Sequence, residues 1–163
     1  MKFPSGTYGR QRLEFHPAPF RPPLRAFAAL VFPWCDGNVL ICDIEDRGWC
    51  IPSGRVEPNE SSLEAAVREA KEEAGAILQD VLYLGCYRIT ERGEVRWADV
   101  YAARVKELVD IPVEFESKGR RIISLEELPA IYHLWNPLTE AVFHYSAEIL
   151  RRHAATMDSF NQK

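Results

Sequence analysis

Three glutamates in the middle of the chain, Glu69, Glu72 and Glu73, have a spacing that can bind a metal ion. On a helix with about 100° between successive residues, their side chains lie within one arc of roughly 100°. Three carboxylates in so small an area repel one another, and a hard cation with oxygen ligands relieves that repulsion. A solvated acidic helix face is the alternative that this spacing alone leaves open.

The residues around these glutamates predict the helix that would carry them. Ser61 and Glu64 fit an S-x-x-E capping box, so the helix should begin at Ser62, and Gly75 is placed to end it. An apolar stripe should face the core, with the three carboxylates on the other side, and it consists of Leu63, Ala66, Val67, Ala70 and Ala74. Arg68 has the spacing to pair with acidic residues on either side of it.

Residues 54–76, read as one segment, resemble the signature of the Nudix hydrolases, called the Nudix box. The matching positions are Gly54, Glu60, Arg68, Glu69, Glu72, Glu73 and Gly75. The chain departs from the usual pattern in having Ala70 and Ala76 at positions of larger aliphatic residues and Ser53 before Gly54. None of these departures removes a reactive group. The resemblance implies an α/β fold, namely an α/β/α sandwich with a mixed sheet between helices.

The resemblance also implies a chemistry and a set of site residues. In the family, the box glutamates and the glycine carbonyl coordinate Mg²⁺ or Mn²⁺, which here means Gly54, Glu69, Glu72 and Glu73. The reaction is hydrolysis of a pyrophosphate linkage, with Glu69 expected to orient or deprotonate the water and Arg68 to hold the acidic side chains. The assignment of ligand and base among the three glutamates stays open.

One residue outside the box is a candidate for the same site. Glu116 lies in the run EFESKG, which resembles an E-[ST]-K-G segment of MutT-type nucleotide pyrophosphohydrolases. In that type a later acidic residue comes near the metals, so Glu116 is expected to act as an additional ligand or as the base. A solvated loop residue is the alternative.

Three further residues are candidates for substrate binding. Asn136 stands where the MutT type has an asparagine that binds a purine edge, although the Asn136-Pro137 pair is also typical of a helix start. Trp34 has a side chain that can stack on a base, but aromatic residues more often belong to the core. Arg55 follows the box glycine, where its charge would suit a phosphate.

The resemblance favours a small-molecule nucleotide as the substrate. The MutT-like group cleaves purine nucleoside triphosphates, including 8-oxo-dGTP, to a monophosphate and pyrophosphate. Nudix hydrolases of the ADP-sugar type tend to carry a proline shortly after the box. No proline occurs between Gly75 and Pro112, so an ADP-sugar is disfavoured as the substrate. A 5′ end of RNA is an alternative substrate, and it would need a basic groove on the protein. A regulator that binds nucleotides without hydrolysing them is a further alternative, although such domains commonly lose box glutamates and this chain keeps them.

The elements that must position these residues can be placed from turn residues and apolar runs. Residues 1–24 form a proline-rich extended entry with a short edge strand at 11–15. Further strands are expected at 25–32, 39–44, 81–89, 96–105 and 119–123, and a second long helix from Asn136-Pro137 to about 152. Turns are expected at 36–38, at 46–48 and near 92–93.

Composition bounds the remaining possibilities. The chain has 163 residues, 47% of them hydrophobic, which predicts one domain spanning 1–163. Its formal net charge of -4 disfavours long nucleic acid as a general partner. We expect neither a signal peptide nor a membrane span, and the four cysteines fit reduced thiols in a cytoplasmic monomer or homodimer.

Overall fold

The computed structural model describes residues 2–163, which form nine strands and three helices. The strands are β1 (Gly6–Tyr8), β2 (Gln11–Pro17), β3 (Ala28–Cys35), β4 (Asn38–Ile44), β5 (Gly48–Cys50), β6 (Ser53–Arg55), β7 (Ala76–Glu91), β8 (Glu94–Leu108) and β9 (Ser117–Ile123). The helices are α1 (Ser62–Ala74), α2 (Leu128–Ile131) and α3 (Pro137–Asn161).

All nine strands belong to one mixed sheet. Its order is β1-β2-β7-β8-β3-β4-β5, with β6 added to β3 and β9 added to β4. β3 and β8 run parallel, whereas the other pairs are antiparallel. The strand predicted at 11–15 exists, but it is not an edge strand, because β1 covers its outer side.

The central strand β3 has apolar side chains on both faces of the sheet. Ala29 and Val31 belong to the core beneath α1, whereas Phe32 and Trp34 belong to the core beneath α3. Successive side chains of a strand point to opposite faces, so a strand that is apolar throughout needs a helix on each side. The predicted α/β/α sandwich is confirmed.

Local signals place both ends of α1 correctly. The Ser61 side chain accepts a hydrogen bond from the Glu64 backbone N–H at 3.0 Å, and the Glu64 carboxylate accepts one from the Ser61 N–H at 3.4 Å. Gly75 ends the helix with a φ of 61°, a left-handed conformation that glycine adopts at little cost.

The buried face of α1 differs from the predicted one. Leu63 and Val67 are exposed, with 43% and 41% of their surface accessible, whereas Ala65 and Glu73 are buried. The face is rotated because Glu73 finds a hydrogen-bond partner in the backbone of β6, which makes its burial tolerable. The prediction that all three carboxylates lie away from the core was therefore wrong for Glu73.

The two predicted hairpin turns are present. Asp36 and Gly37 join β3 to β4, and Arg92 and Gly93 join β7 to β8, each pair with positive φ at both residues. This conformation matches the twist of the adjoining strands. β3 begins three residues later than predicted, and Arg25, predicted to open it, instead donates hydrogen bonds to the carbonyl oxygens of Glu57 and Glu60.

The second long helix, α3, begins where predicted and runs nine residues further than predicted, to Asn161. Trp34 of β3 donates a hydrogen bond from its indole N–H to the Ser146 hydroxyl of α3 at 2.9 Å, and both side chains are buried. Among the described residues, no helix combines the length and the apolarity needed to cross a membrane.

Asn136 caps α3 through its side-chain oxygen, which accepts a hydrogen bond from the Thr139 backbone N–H at 2.8 Å. We expect Asn136→Ala to lower the free energy of unfolding by about 1 kcal/mol, because an unpaired N–H is left at the helix start. Asn161→Ala, at the exposed end of the same helix, is the control and should change it by less than about 0.5 kcal/mol. Urea denaturation of both variants measures the difference, and equal stabilities would contradict the capping role.

Candidate active site around the acidic helix

The acidic helix α1 lies very close to the short strand β6. The Ser53 backbone N–H donates a hydrogen bond to the Glu73 carboxylate at 2.7 Å. A Cβ atom on Gly54 would collide with the Glu69 carboxylate, so a larger residue at this position would force the Glu69 side chain to move. Two of the three predicted ligands therefore converge on the Ser53-Gly54 peptide.

Glu73 lies in an environment that disfavours its ionised form. Burial, with smaller contributions from the negative charges of Glu69 and Glu116, raises the pKa of Glu73 to about 7. The Ser53 N–H and the Arg47 guanidinium act in the opposite direction. The pKa of Glu69 is also raised, mainly by burial. A patch of carboxylates that resists ionisation is one that a nearby cation would stabilise.

Arg68 joins the acidic residues into one network. Its guanidinium donates two hydrogen bonds to Glu60, at 2.7 and 3.0 Å, and further ones to Glu69 at 2.8 Å and Glu72 at 3.2 Å. It also donates to the carbonyl oxygen of Arg55 at 3.0 Å. The bonds from Arg68 hold the pKa of Glu60 at about 2. Arg68 thus orients the carboxylates, as the sequence predicted.

Glu116, the candidate from outside the box, lies beside this network. It is an exposed residue just before β9, and its charge is felt at Glu73, whose pKa it helps to raise. Its carbonyl oxygen accepts a hydrogen bond from the Glu45 N–H at 3.2 Å, which fixes the backbone there. The fold therefore brings Glu116 near a box glutamate that lies 43 positions earlier in the chain.

Arg47 is a site residue that the sequence reasoning missed. Its guanidinium donates hydrogen bonds to the Ser53 hydroxyl at 3.0 Å and to the Cys50 sulfur at 3.7 Å, and it lies 4.0 Å from the Glu73 carboxylate. The run Asp46-Arg47-Gly48 indicated only a turn. Nothing in the local pattern points to a charge that faces the box, because the contact depends on how β5 lies against β4.

A cavity of about 200 Å³ opens beside Ser53 on the α3 side of the sheet. Most of its lining is apolar or aromatic, and the aromatic residues are Tyr8, Phe32, Tyr87, Tyr132 and His133. The rings of Tyr8 and His133 meet edge to face at 5.7 Å. Burial, with the nearby charge of Arg47, lowers the pKa of His133 to about 4, so this imidazole is neutral at pH 7.

The three predicted substrate-binding residues occupy different places. Trp34 and Asn136 are engaged in the structure, the first by Ser146 in the core and the second by the start of α3. Neither lines the cavity beside Ser53. Arg55 is exposed in an open groove on the box, together with Arg25 and Arg96, around the ring of Phe27. The Arg96 guanidinium carbon lies 4.3 Å from the centre of that ring.

The donor atoms at the box fit a hard divalent cation. Glu69, Glu72, Glu73 and the Gly54 carbonyl offer oxygen ligands only, as Mg²⁺ and Mn²⁺ prefer. The Glu69 carboxylate lies in the space that a side chain at position 54 would take. In residues 2–163 no three His, Cys, Asp or Glu side chains are arranged as a ligand cage. The carboxylates point instead to Arg68 and to the Ser53 N–H.

Comparison with known proteins gives a family and several relatives. The model of the NUDIX domain family matches residues 24–145. A Bacillus subtilis (strain 168) protein, YtkD, named as a candidate 8-oxo-dGTP diphosphatase, is 40% identical over 93 residues, which are 57% of this chain and 58% of that protein. The mouse 8-oxo-dGDP phosphatase NUDT18 is 44% identical over 61 residues, 37% of this chain and 18% of that protein. The aligned part thus spans less than two thirds of either relative.

A solved structure agrees over more of the chain. The Bacillus subtilis pyrophosphohydrolase BsRppH, crystallised as a mutant, superposes with a TM-score of 0.72 at 27% identity, and the match covers 94% of this chain and 96% of that one. The family model, the relatives and this fold all agree with the box at residues 54–76. The chain belongs to the Nudix hydrolase family.

Proposed function

We propose that the protein is a pyrophosphohydrolase that uses Mg²⁺ or Mn²⁺ and cleaves a purine nucleoside triphosphate, plain or 8-oxo, to a monophosphate and pyrophosphate. The observation that carries this proposal is the position of the cavity. Ser53 lies on the cavity wall and also donates its N–H to Glu73, so a pocket lined by aromatic residues adjoins the acidic site. A nucleoside in the cavity would place its phosphates at the carboxylates.

The cavity lining suits a purine base. Aromatic side chains bury flat rings well, and the neutral His133 offers both a hydrogen-bond donor and an acceptor. Gln11 and Thr139 add polar groups to a wall that is otherwise mainly apolar. An apolar pocket with a few polar groups is typical of a site that binds a small molecule.

The acidic site that adjoins the cavity at Ser53 suits the phosphates once metal ions neutralise its charge. Gly54, Glu69, Glu72, Glu73 and Glu116 would hold the divalent ions. The chemistry that these ions supply when bound is neutralisation of the pyrophosphate charge and orientation of the attacking water. Glu69, half-buried beside Gly54 and bonded to Arg68, would orient that water or accept its proton. Arg47 adds a positive charge where the nucleotide would pass from cavity to carboxylates.

A second candidate substrate is a 5′-triphosphorylated RNA end. The observation that favours it is the groove around Phe27, which is lined by Arg25, Arg55 and Arg96 and by no acidic residue. Such a groove suits phosphodiesters, with an aromatic ring available to a base. The net charge of -4 had disfavoured this substrate. The local distribution of arginines restores it as an alternative.

The metal assignment is tested by Glu73→Gln. The amide oxygen can still accept the Ser53 N–H, so the fold should persist, whereas the loss of charge removes a metal ligand. We expect hydrolysis to fall by at least about 10²-fold, as for loss of a main charge stabiliser. Glu107→Gln, on the exposed end of β8, is the control and should keep full activity. Near wild-type turnover of Glu73→Gln at saturating Mg²⁺ would overturn the assignment.

The proposed role of Glu116 is tested by comparing its substitution with the same substitution at Glu114. If it is a ligand or a base, Glu116→Gln should lower kcat by at least about tenfold with little change in melting temperature, because an exposed charge adds little stability. Glu114→Gln removes the same charge two residues away on the same exposed run and should leave kcat unchanged. Equal kinetics of the two variants would return Glu116 to the solvated loop.

The substrate is tested with a panel that contains Mg²⁺ or Mn²⁺. GTP, dGTP or 8-oxo-dGTP should exceed ADP-ribose and pyrimidine triphosphates by at least about tenfold in kcat/KM, because a wrong base leaves polar groups unpaired. Pyrophosphate, and not orthophosphate, should be released. A short 5′-triphosphorylated RNA in the same panel tests the arginine groove, and Arg96→Ala should weaken its cleavage alone. Best activity on ADP-ribose, or orthophosphate as the product, would contradict the purine triphosphate proposal.

A further inference from the structure

Two buried cysteines lie opposite each other beside the cavity. Cys42 of β4 and Cys50 of β5 are register partners in adjacent antiparallel strands. The Cys42 sulfur lies 3.5 Å from the Cys50 carbonyl oxygen, and the Cys50 sulfur lies 3.7 Å from that of Cys42. Opposed Cα atoms of such strands are about 4.5 to 5.5 Å apart, within the range that a disulfide spans.

The other two cysteines have no such arrangement. Cys35 is opposite Asn38 in the β3–β4 hairpin, and Cys86 is opposite His16 and Asp99. All four cysteines are free thiols. The chain therefore holds one pair that can close a bond without a change of register, and two single thiols that serve as internal controls.

The two members of the pair differ in their access to small molecules. Both belong to the core beneath α1, where Cys42 is 0% and Cys50 is 2% exposed, but Cys50 also lines the cavity together with Arg47 and Ser53, whereas Cys42 does not. A small uncharged oxidant that enters the cavity would thus reach Cys50 before Cys42. The Cys42 sulfur would then be next to it, shielded from other reactants.

We propose that Cys50 is an oxidation site and that Cys42 closes a reversible disulfide with it when the protein meets a peroxide. The Cys50 sulfur attacks one oxygen of hydrogen peroxide, the O–O bond breaks, and the departing hydroxide leaves as water with the thiol proton. The Cys42 sulfur then attacks the Cys50 sulfenic acid, the S–O bond breaks, and a second water leaves with the Cys42 proton. Two thiols are oxidised by two electrons, and one peroxide is reduced to two waters.

The bond would disturb the active site through Arg47. A disulfide bond of about 2.05 Å draws the Cys50 sulfur towards Cys42, and Arg47 loses a hydrogen-bond acceptor. Arg47 also holds the Ser53 hydroxyl, and the Ser53 N–H holds Glu73. Oxidation would therefore shift the residues on which the carboxylates rest. This inference goes beyond the proposed substrate, because it concerns how the oxidation state of Cys42 and Cys50 affects the activity.

The proposal is tested on the whole protein with hydrogen peroxide. The sample is oxidised, free thiols are blocked with iodoacetamide, and the digest is mapped by mass spectrometry. We expect a peptide pair linked through Cys42 and Cys50, with Cys35 and Cys86 alkylated, and the link should disappear on treatment with dithiothreitol. Hydrolysis of the best nucleotide should fall at least about tenfold and recover with dithiothreitol, as expected for displaced site residues.

Two variants separate this proposal from general oxidative damage. Cys35→Ala/Cys86→Ala should form the same link and lose the same activity, whereas Cys42→Ala should keep its activity after the same mild treatment. Failure to find the link in oxidised wild-type protein, or full activity of the linked protein, would overturn the proposal. The mapping needs no substrate, so its result is independent of the proposed function.

Discussion

The close packing of α1 onto the sheet is the constraint on which the site depends. Four alanines on the buried face, Ala65, Ala66, Ala70 and Ala74, are fully buried and let the helix backbone approach the strands. Larger side chains would hold it further away. The same closeness puts the Glu69 carboxylate where a Cβ atom at position 54 would lie, and it brings the Glu73 carboxylate into contact with the backbone of β6. The four alanines and Gly54 therefore all contribute to the close packing of α1 against the sheet.

This packing has an electrostatic cost that the structure offsets locally. Glu73 is removed from water next to other negative charges, and its raised pKa reflects that cost. The Ser53 N–H and Arg47 stabilise it from one side, and Arg68 binds the neighbouring carboxylates from the other. These hydrogen bonds and ion pairs thus hold the acidic residues in place, and a bound divalent cation would add to their stabilisation. To coordinate a metal ion, the carboxylates would have to turn from Arg68 and from the Ser53 N–H.

The proposed nucleotide site joins parts of the chain that are distant in sequence. Tyr8 from the first hairpin, Arg47 before β5, and His133 before α3 all face the same cavity. Because the box supplies only the chemistry, these separate segments would decide which nucleoside the proposed site can hold. The groove around Phe27 lies on the box as well, through Arg55. The two surfaces offer the competing substrates different places to bind.

The sequence by itself determined what depends on short-range interactions. The limits of α1 follow from a capping box and a left-handed glycine, and the hairpin turns follow from Asp36-Gly37 and Arg92-Gly93. The fixed spacing of the box was enough to identify the family. Each of these signals is read within a few residues, so no knowledge of the partner surface is needed.

Only the tertiary structure decided what depends on which surfaces meet. The buried side of α1 turned towards Glu73 and away from Leu63 and Val67, because the Ser53 N–H supplies a partner that no helical pattern reveals. The sequence indicates only a turn at Arg47, and the position of β5 against β4 is what brings its side chain to the box. Trp34 was a candidate for stacking on a base, and the structure puts it in the core, where Ser146 of α3 accepts a hydrogen bond from its indole N–H. Contacts between residues far apart in the chain determine the buried side of α1 and the positions of Arg47 and Trp34. Such contacts leave no local pattern in the sequence.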